Sequence, residues 1–185
     1  METEILAFAT APEWETWLAA HYQEPGGVWL KVGKKGSKKS AIKISEALDV
    51  ALCYGWIDSQ RKGYDHDYFL QRYSPRTAKS PWSKLNVERA EALLADGRMQ
   101  PAGLREIEAA KLDGRWAVAY EAQRNFTIPD DFETALRQNE LARHAFNQLN
   151  KSEQYAIILP LLKATTAERR VDRLQKAIAN LLKSE

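Results

Sequence analysis

A chain of 185 residues with 44% hydrophobic and 28% charged residues has the size and composition of a folded globular protein, which excludes a disordered or fibrous architecture. Its single cysteine, Cys53, excludes an internal disulfide and any multi-cysteine zinc or iron–sulfur site, and with three scattered histidines no metal or cofactor is expected. The formal charge of +2 hides an uneven distribution: residues 31–84 hold 12 Lys or Arg against 5 Asp or Glu, a surplus that can steer an anionic partner but is too small to mark a nucleic-acid binder.

The opening Met1-Glu2-Thr3-Glu4 is acidic where a secretory signal is basic, and no apolar run approaches the roughly 20 residues that cross a bilayer. A cytoplasmic protein without membrane insertion is the expectation. Ile5 to Phe8 is predicted to be a short strand. Thr10 and Glu13 then have the spacing of a capping box, opening a helix that buries Trp14, Trp17 and Leu18. Pro25-Gly26-Gly27 breaks the chain, and Val28 to Val32 has the β-branched and aromatic content of a strand. Gly33 to Ser40 is a basic loop. A helix from about Ser45 ends by Gly55, and Trp56 to Lys62 with Tyr68 to Tyr73 predict a hairpin turning through Gly63 to Asp67. Ser80-Pro81-Trp82 is placed as the entrance of a helix running to Ala95, followed by a helix from about Leu104 to Asp113.

Thr127 to Asp130 is a predicted linker, beyond which the apolar spacing is helical throughout, with capping boxes at Asp130/Glu133 and Thr165/Glu168. The fold class expected is therefore α+β. A small mixed sheet of about four strands with packed helices occupies residues 1–126, and a C-terminal helical module occupies 127–185.

The stretch from Tyr54 to Asn86 carries most of the chemical information. Tyr54, Trp56 and Asp58 gather at a helix-to-strand junction; Arg72 and Arg76 follow in Arg72-Tyr73-Ser74-Pro75-Arg76; Trp82, Ser83 and Asn86 stand at a predicted helix start, whose free N–H groups favour an anion. Arginine forks suit carboxylates and phosphates, and aromatic faces suit planar or cationic groups. Each has a structural alternative: Asp58 can neutralise an arginine internally, and the aromatics can be core. Cys53 lies in an apolar helical run and is placed in the core, and His66 in an exposed turn. Gly33-Lys34-Lys35-Gly36-Ser37 lacks the spacing of a phosphate-binding loop, and Arg169, Arg170 and Arg173 are placed on a solvated helix face.

On Glu46-Ala47-Leu48-Asp49, Ala51 to Asp58, Arg72 to Arg76, Trp82-Ser83, Asn86, Gly97-Arg98-Met99 and Pro101-Ala102-Gly103, together with the helical tail, the chain resembles the YdeI/OmpD-associated family of bacteriocin-protection proteins. The resemblance implies a bacterial stress-response protein linked to tolerance of antimicrobial peptides, and it brings no established catalytic residues. The sequence displays no nucleophile–base pair, so the leading expectation is a non-enzymatic protein that binds a small anionic molecule or a peptide through Tyr54, Trp56, Asp58, Arg72, Arg76, Trp82, Ser83 and Asn86. The alternative is an enzyme with Asp58 as general acid or base and Arg72 and Arg76 holding an anionic substrate.

Overall fold

The computed structural model describes residues 4–37, 39–121, 126–164 and 166–183. Four strands, β1 (Ile5–Ala7), β2 (Val28–Gly33), β3 (Trp56–Gly63) and β4 (Tyr68–Pro75), form one mixed sheet in the order β1-β2-β4-β3. β1 pairs parallel with β2, whereas β4 is antiparallel to both β2 and β3. A parallel pair requires a crossover, and helix α1 (Ala11–His21) supplies it. Helix α2 (Ile44–Cys53) leads into the β3–β4 hairpin, and α3 (Lys84–Ala95) and α4 (Pro101–Leu112) follow. The α+β expectation is met.

Strict alternation along β2 sets the inner face of the sheet: Val28, Leu30 and Val32 are buried while their neighbours are half-exposed. The register places Tyr73, Gln71 and Phe69 of β4 opposite them, so these share the inner face. Trp14 and Leu18 from α1 and Ala47, Val50 and Ala51 from α2 close the core. Trp14 is its hub. It is fully buried, stacks on Trp17 at 5.4 Å, meets Trp56 edge-on at 6.3 Å, and donates its Nε1–H to the Ala47 carbonyl at 3.1 Å. The opening of α1 differs in detail from expectation, since Glu13 reaches back to the Ala9 N–H at 2.8 Å while the Thr10 side chain caps nothing.

Two compact units divide the chain: Met1–Ser80 with Asn86–Trp116, and Pro81–Leu85 with Ala117–Glu185. The second holds α5 (Asp130–Arg137), α6 (Glu140–Gln148), α7 (Lys151–Leu162) and α8 (Ala167–Leu181) around Phe132, Leu136, Phe146, Ile158, Leu161 and Leu181. Here the caps depart from the sequence reading. Pro129 is the N-cap of α5 with Asp130 already helical, and Thr166 caps α8 through the Arg169 N–H; Thr165 lies outside the described residues. A capping box forms instead between Asn150 and Glu153, at the start of α7. Arg170 also leaves its expected solvated role, because it grips Asp131 through two bonds of 2.7 and 2.8 Å and donates to the Leu161 carbonyl.

The helix entrance expected at Ser80-Pro81-Trp82 falls later, at Lys84. Ser83 forms a parallel bridge with Tyr120, the Tyr120 N–H donates to the Trp82 carbonyl, and the Lys84 N–H donates to the Tyr120 carbonyl. The first N–H of α3 is thus already satisfied, which removes it as an anion donor.

Candidate functional site

The junction between α2 and β3 is shaped by two glycines. Gly55 has φ +76°, and a Cβ there would sit 3.0 Å from Glu106 Cγ and 3.1 Å from the Ala102 carbonyl oxygen. Gly103 is tighter still, since a Cβ would lie 2.3 Å from the Cys53 carbonyl oxygen and 2.7 Å from that of Leu52. These absences of side chain let α4 rest directly on the C-terminal end of α2. Gln100 N–H donates to the Cys53 carbonyl at 3.1 Å and completes the contact.

A pocket of about 290 Å³ opens beside this junction, near the lower end of ligand-site volumes. Tyr22, Tyr54 and Trp56 give it aromatic walls, Arg76 and Arg105 positive charge, and Glu106 one carboxylate. Trp56 is buried and fixed by an Nε1–H bond to the Tyr22 carbonyl at 2.8 Å; Tyr22 and Tyr54 stand 6.1 Å apart at 48°. Arg76 is 6% exposed, and its backbone N–H donates to the Gly55 carbonyl at 2.9 Å, which ties the end of β4 to the glycine turn. Burial pushes the Tyr54 phenol above its usual range and the adjacent Cys53 thiol up to about 11, so Cys53 is a core thiol with no thiolate to offer as a nucleophile near neutral pH.

Of the eight residues singled out in the sequence, Tyr54, Trp56 and Arg76 line this pocket. Asp58 lies opposite Tyr73 on the inner sheet face, in a different polar cluster. There Gln71, 2% exposed, accepts from Arg61 Nε at 3.0 Å and donates to the Gln60 carbonyl, while Asp49 on α2 pairs with Arg89 on α3 at 2.6 Å. Burial raises the Asp58 carboxyl above its ordinary range, opposed by its own backbone N–H and then by Arg61, Arg76 and Arg89. The Tyr73 hydroxyl is fully buried and has no hydrogen-bond partner among the described residues. Arg72 belongs to the other sheet face, opposite Trp29, with one guanidinium nitrogen on the Gly26 carbonyl at 2.9 Å. It therefore cannot join Arg76 as a second fork on one ligand. Trp82 and Ser83 fall in the second compact unit, and Asn86 is half-buried one turn before Arg89 on α3.

Sequence reasoning missed Tyr22, Arg105 and Glu106. A usable signal was Gly103 inside a helical pattern, which marks close backbone approach and hence a neighbouring surface made of Ala102 to Glu106. His66 is exposed, as expected of its turn.

Two family models match the chain. One, described as a domain of unknown function (DUF8412), covers residues 6–106, and the other, described as bacteriocin-protection, YdeI or OmpD-associated, covers 125–184. The motifs between Ala47 and Gly103 thus lie inside the first match, and the YdeI or OmpD-associated match rests on the C-terminal helices. No curated protein and no solved structure matches. No helix among the described residues is long and apolar enough to cross a membrane.

Proposed function

Because the chain belongs to the DUF8412 family through residues 6–106, and through 125–184 to the bacteriocin-protection, YdeI or OmpD-associated family, we propose that it acts in bacteriocin tolerance by binding a ligand. The ligand is a small anionic molecule or the end of a peptide. One observation carries this reading: Arg76 and Arg105 share a pocket with Tyr22, Tyr54 and Trp56, on a backbone held open by Gly55 and Gly103. Arginine supplies planar forks for a carboxylate, the tyrosines supply flat apolar contact, and Glu106 adds a partner for an adjacent cationic group. That mixture of signs favours a peptide terminus over a bare anion.

The test is a thermal-shift series with short peptides bearing a free or an amidated C-terminus, on the native chain and on Arg105→Ala. A ligand that binds the folded state raises Tm. The expected result is a shift with the free carboxylate that amidation and Arg105→Ala both abolish. A shift indifferent to both changes would remove the pocket from the reading.

A second reading, catalysis with Asp58 as general acid or base, draws on the raised Asp58 carboxyl and its place opposite the buried Tyr73 hydroxyl. Loss of a detected turnover in Asp58→Asn with unchanged ligand binding would separate it from the first.

A further inference from the structure

A larger cavity, of about 720 Å³, opens between residues 33–37 and 39–45 and the β3–β4 hairpin, and it shares no lining residue with the Tyr54 pocket. Its charged lining is Lys34, Lys35, Lys39, Lys43 and Arg61, with no carboxylate among the lining residues. Ile44 and Ser45 also line it and are the first residues of α2, at whose start the Glu46 carboxylate accepts the Lys43 N–H at 3.3 Å. The floor is apolar. Its accessible part is Phe69, half-buried under the Arg61 guanidinium at 4.6 Å, since Ile42 has no exposed surface.

The basic segment is fastened at defined points. Lys34 Nζ donates to the Asp65 carbonyl at 2.7 Å, Lys39 pairs with Asp67 at 2.9 Å, and the Ser37 hydroxyl donates to Asp67 at 3.2 Å. Those two lysines therefore hold the loop against the hairpin turn. Lys43 faces Glu46 at 3.8 Å with both side chains exposed, which screens the pair heavily, and Lys35 and Arg61 have no ion pair among the described residues. Positive charge is left over on the rim of a concave space whose bottom is apolar.

We infer that this cavity binds a small molecule carrying two or more phosphoryl groups, with the phosphates on Lys35, Lys43 and Arg61 and a planar remainder against Phe69. The concavity favours a small molecule over a nucleic acid, which needs an extended charged track with successive stacking faces. This assignment is independent of the Tyr54 pocket.

Isothermal titration with inorganic diphosphate and with ATP, at low salt and without divalent cations, tests it. Both are expected to bind at one site, ATP more tightly because the floor adds contact. The K35E/K43E double variant should weaken both at least tenfold, while Arg105→Ala, outside the cavity, should leave both within twofold. No binding to the folded chain, or binding unchanged in K35E/K43E, overturns the proposal. So does a single-stranded oligonucleotide that binds and is not displaced by ATP, and equal affinity for the two probes overturns the role of the apolar floor. Should circular dichroism show K35E/K43E unfolded, K35Q/K43Q is read by the same criteria.

Discussion

The sheet core of the first unit and the helical core of the second are built on different terms. Trp56 and Tyr73, packed against Trp14 of α1, share the inner sheet face with buried Gln71 and half-buried Asp58, so polar groups are carried into the interior. The helical core is apolar among the described residues, with Phe132 edge-on to Phe146 at 5.3 Å, and the ion pair of Arg170 with Asp131 lies half-exposed at the rim. A buried polar group that lacks a partner costs stability, whereas a rim pair contributes a little and is screened. The first arrangement gives up stability where chemistry is possible; the second keeps chemistry outside and serves packing.

The comparison breaks most visibly on large truncations. Trp14→Ala and Phe146→Ala should each cost about 3–5 kcal/mol, the range for deleting a buried aromatic. Trp14→Ala is expected to be the worse of the two, because it also removes the donor on the Ala47 carbonyl. Urea unfolding of the two variants, followed by tryptophan fluorescence and by circular dichroism, would reverse the argument if Phe146→Ala proved more damaging. Gly103→Ala comes next, at about 1–3 kcal/mol, since the new methyl would press on backbone oxygens that have little room to retreat. An unchanged Tm in Gly103→Ala would show that α4 does not pack as closely as the geometry states.

Much of this was legible in the sequence. The strand at Val28 to Val32, the hairpin around Gly63 to Asp67, and the C-terminal helical run follow from residue content, turn chemistry and local periodicity, and the structure has them all. What escaped is what depends on partners distant in sequence. The Lys84 helix start is set by Tyr120, and Arg72 and Arg76 are separated because β4 ends between them and alternation sends Arg72 outward. Caps failed for a subtler reason. Several Ser, Thr, Asp or Asn residues near each start fit the pattern, and the backbone selects one: Asn150 and Thr166 serve, Thr10 does not.

Smaller effects test the polar side of the contrast. Tyr73→Phe deletes a buried hydroxyl without a partner among the described residues, so stability should hold or rise by up to about 1 kcal/mol. A loss of more than that would mean the hydroxyl is bonded to ordered water, and the inner face would then be better satisfied than its direct contacts indicate.

The finest test sets two carboxylates against each other by pH. Asp58 has its carboxyl raised from 3.8 by burial, so the folded state binds its proton more tightly than the unfolded chain does. Its favourable contribution is complete below 3.8 and is lost as pH rises through the raised folded value. Asp131 is the opposite case. Arg170 holds it below 3.8, so its contribution is present above 3.8 and is lost as pH falls through the lowered folded value. Asp58→Asn should therefore raise Tm at pH 7 with a gain that fades below 3.8, and Asp131→Asn should lower Tm at pH 7 with a loss that fades in the same direction. The pair is about two-fifths exposed on the Asp131 side, so the second effect is expected to be the smaller, at or below about 1 kcal/mol. Parallel melting curves from pH 2.5 to pH 7 read both signs. If the two variants moved Tm the same way at pH 7, the inner sheet face would not be the strained region, and its polar residues would be supporting the fold as the rim pair does.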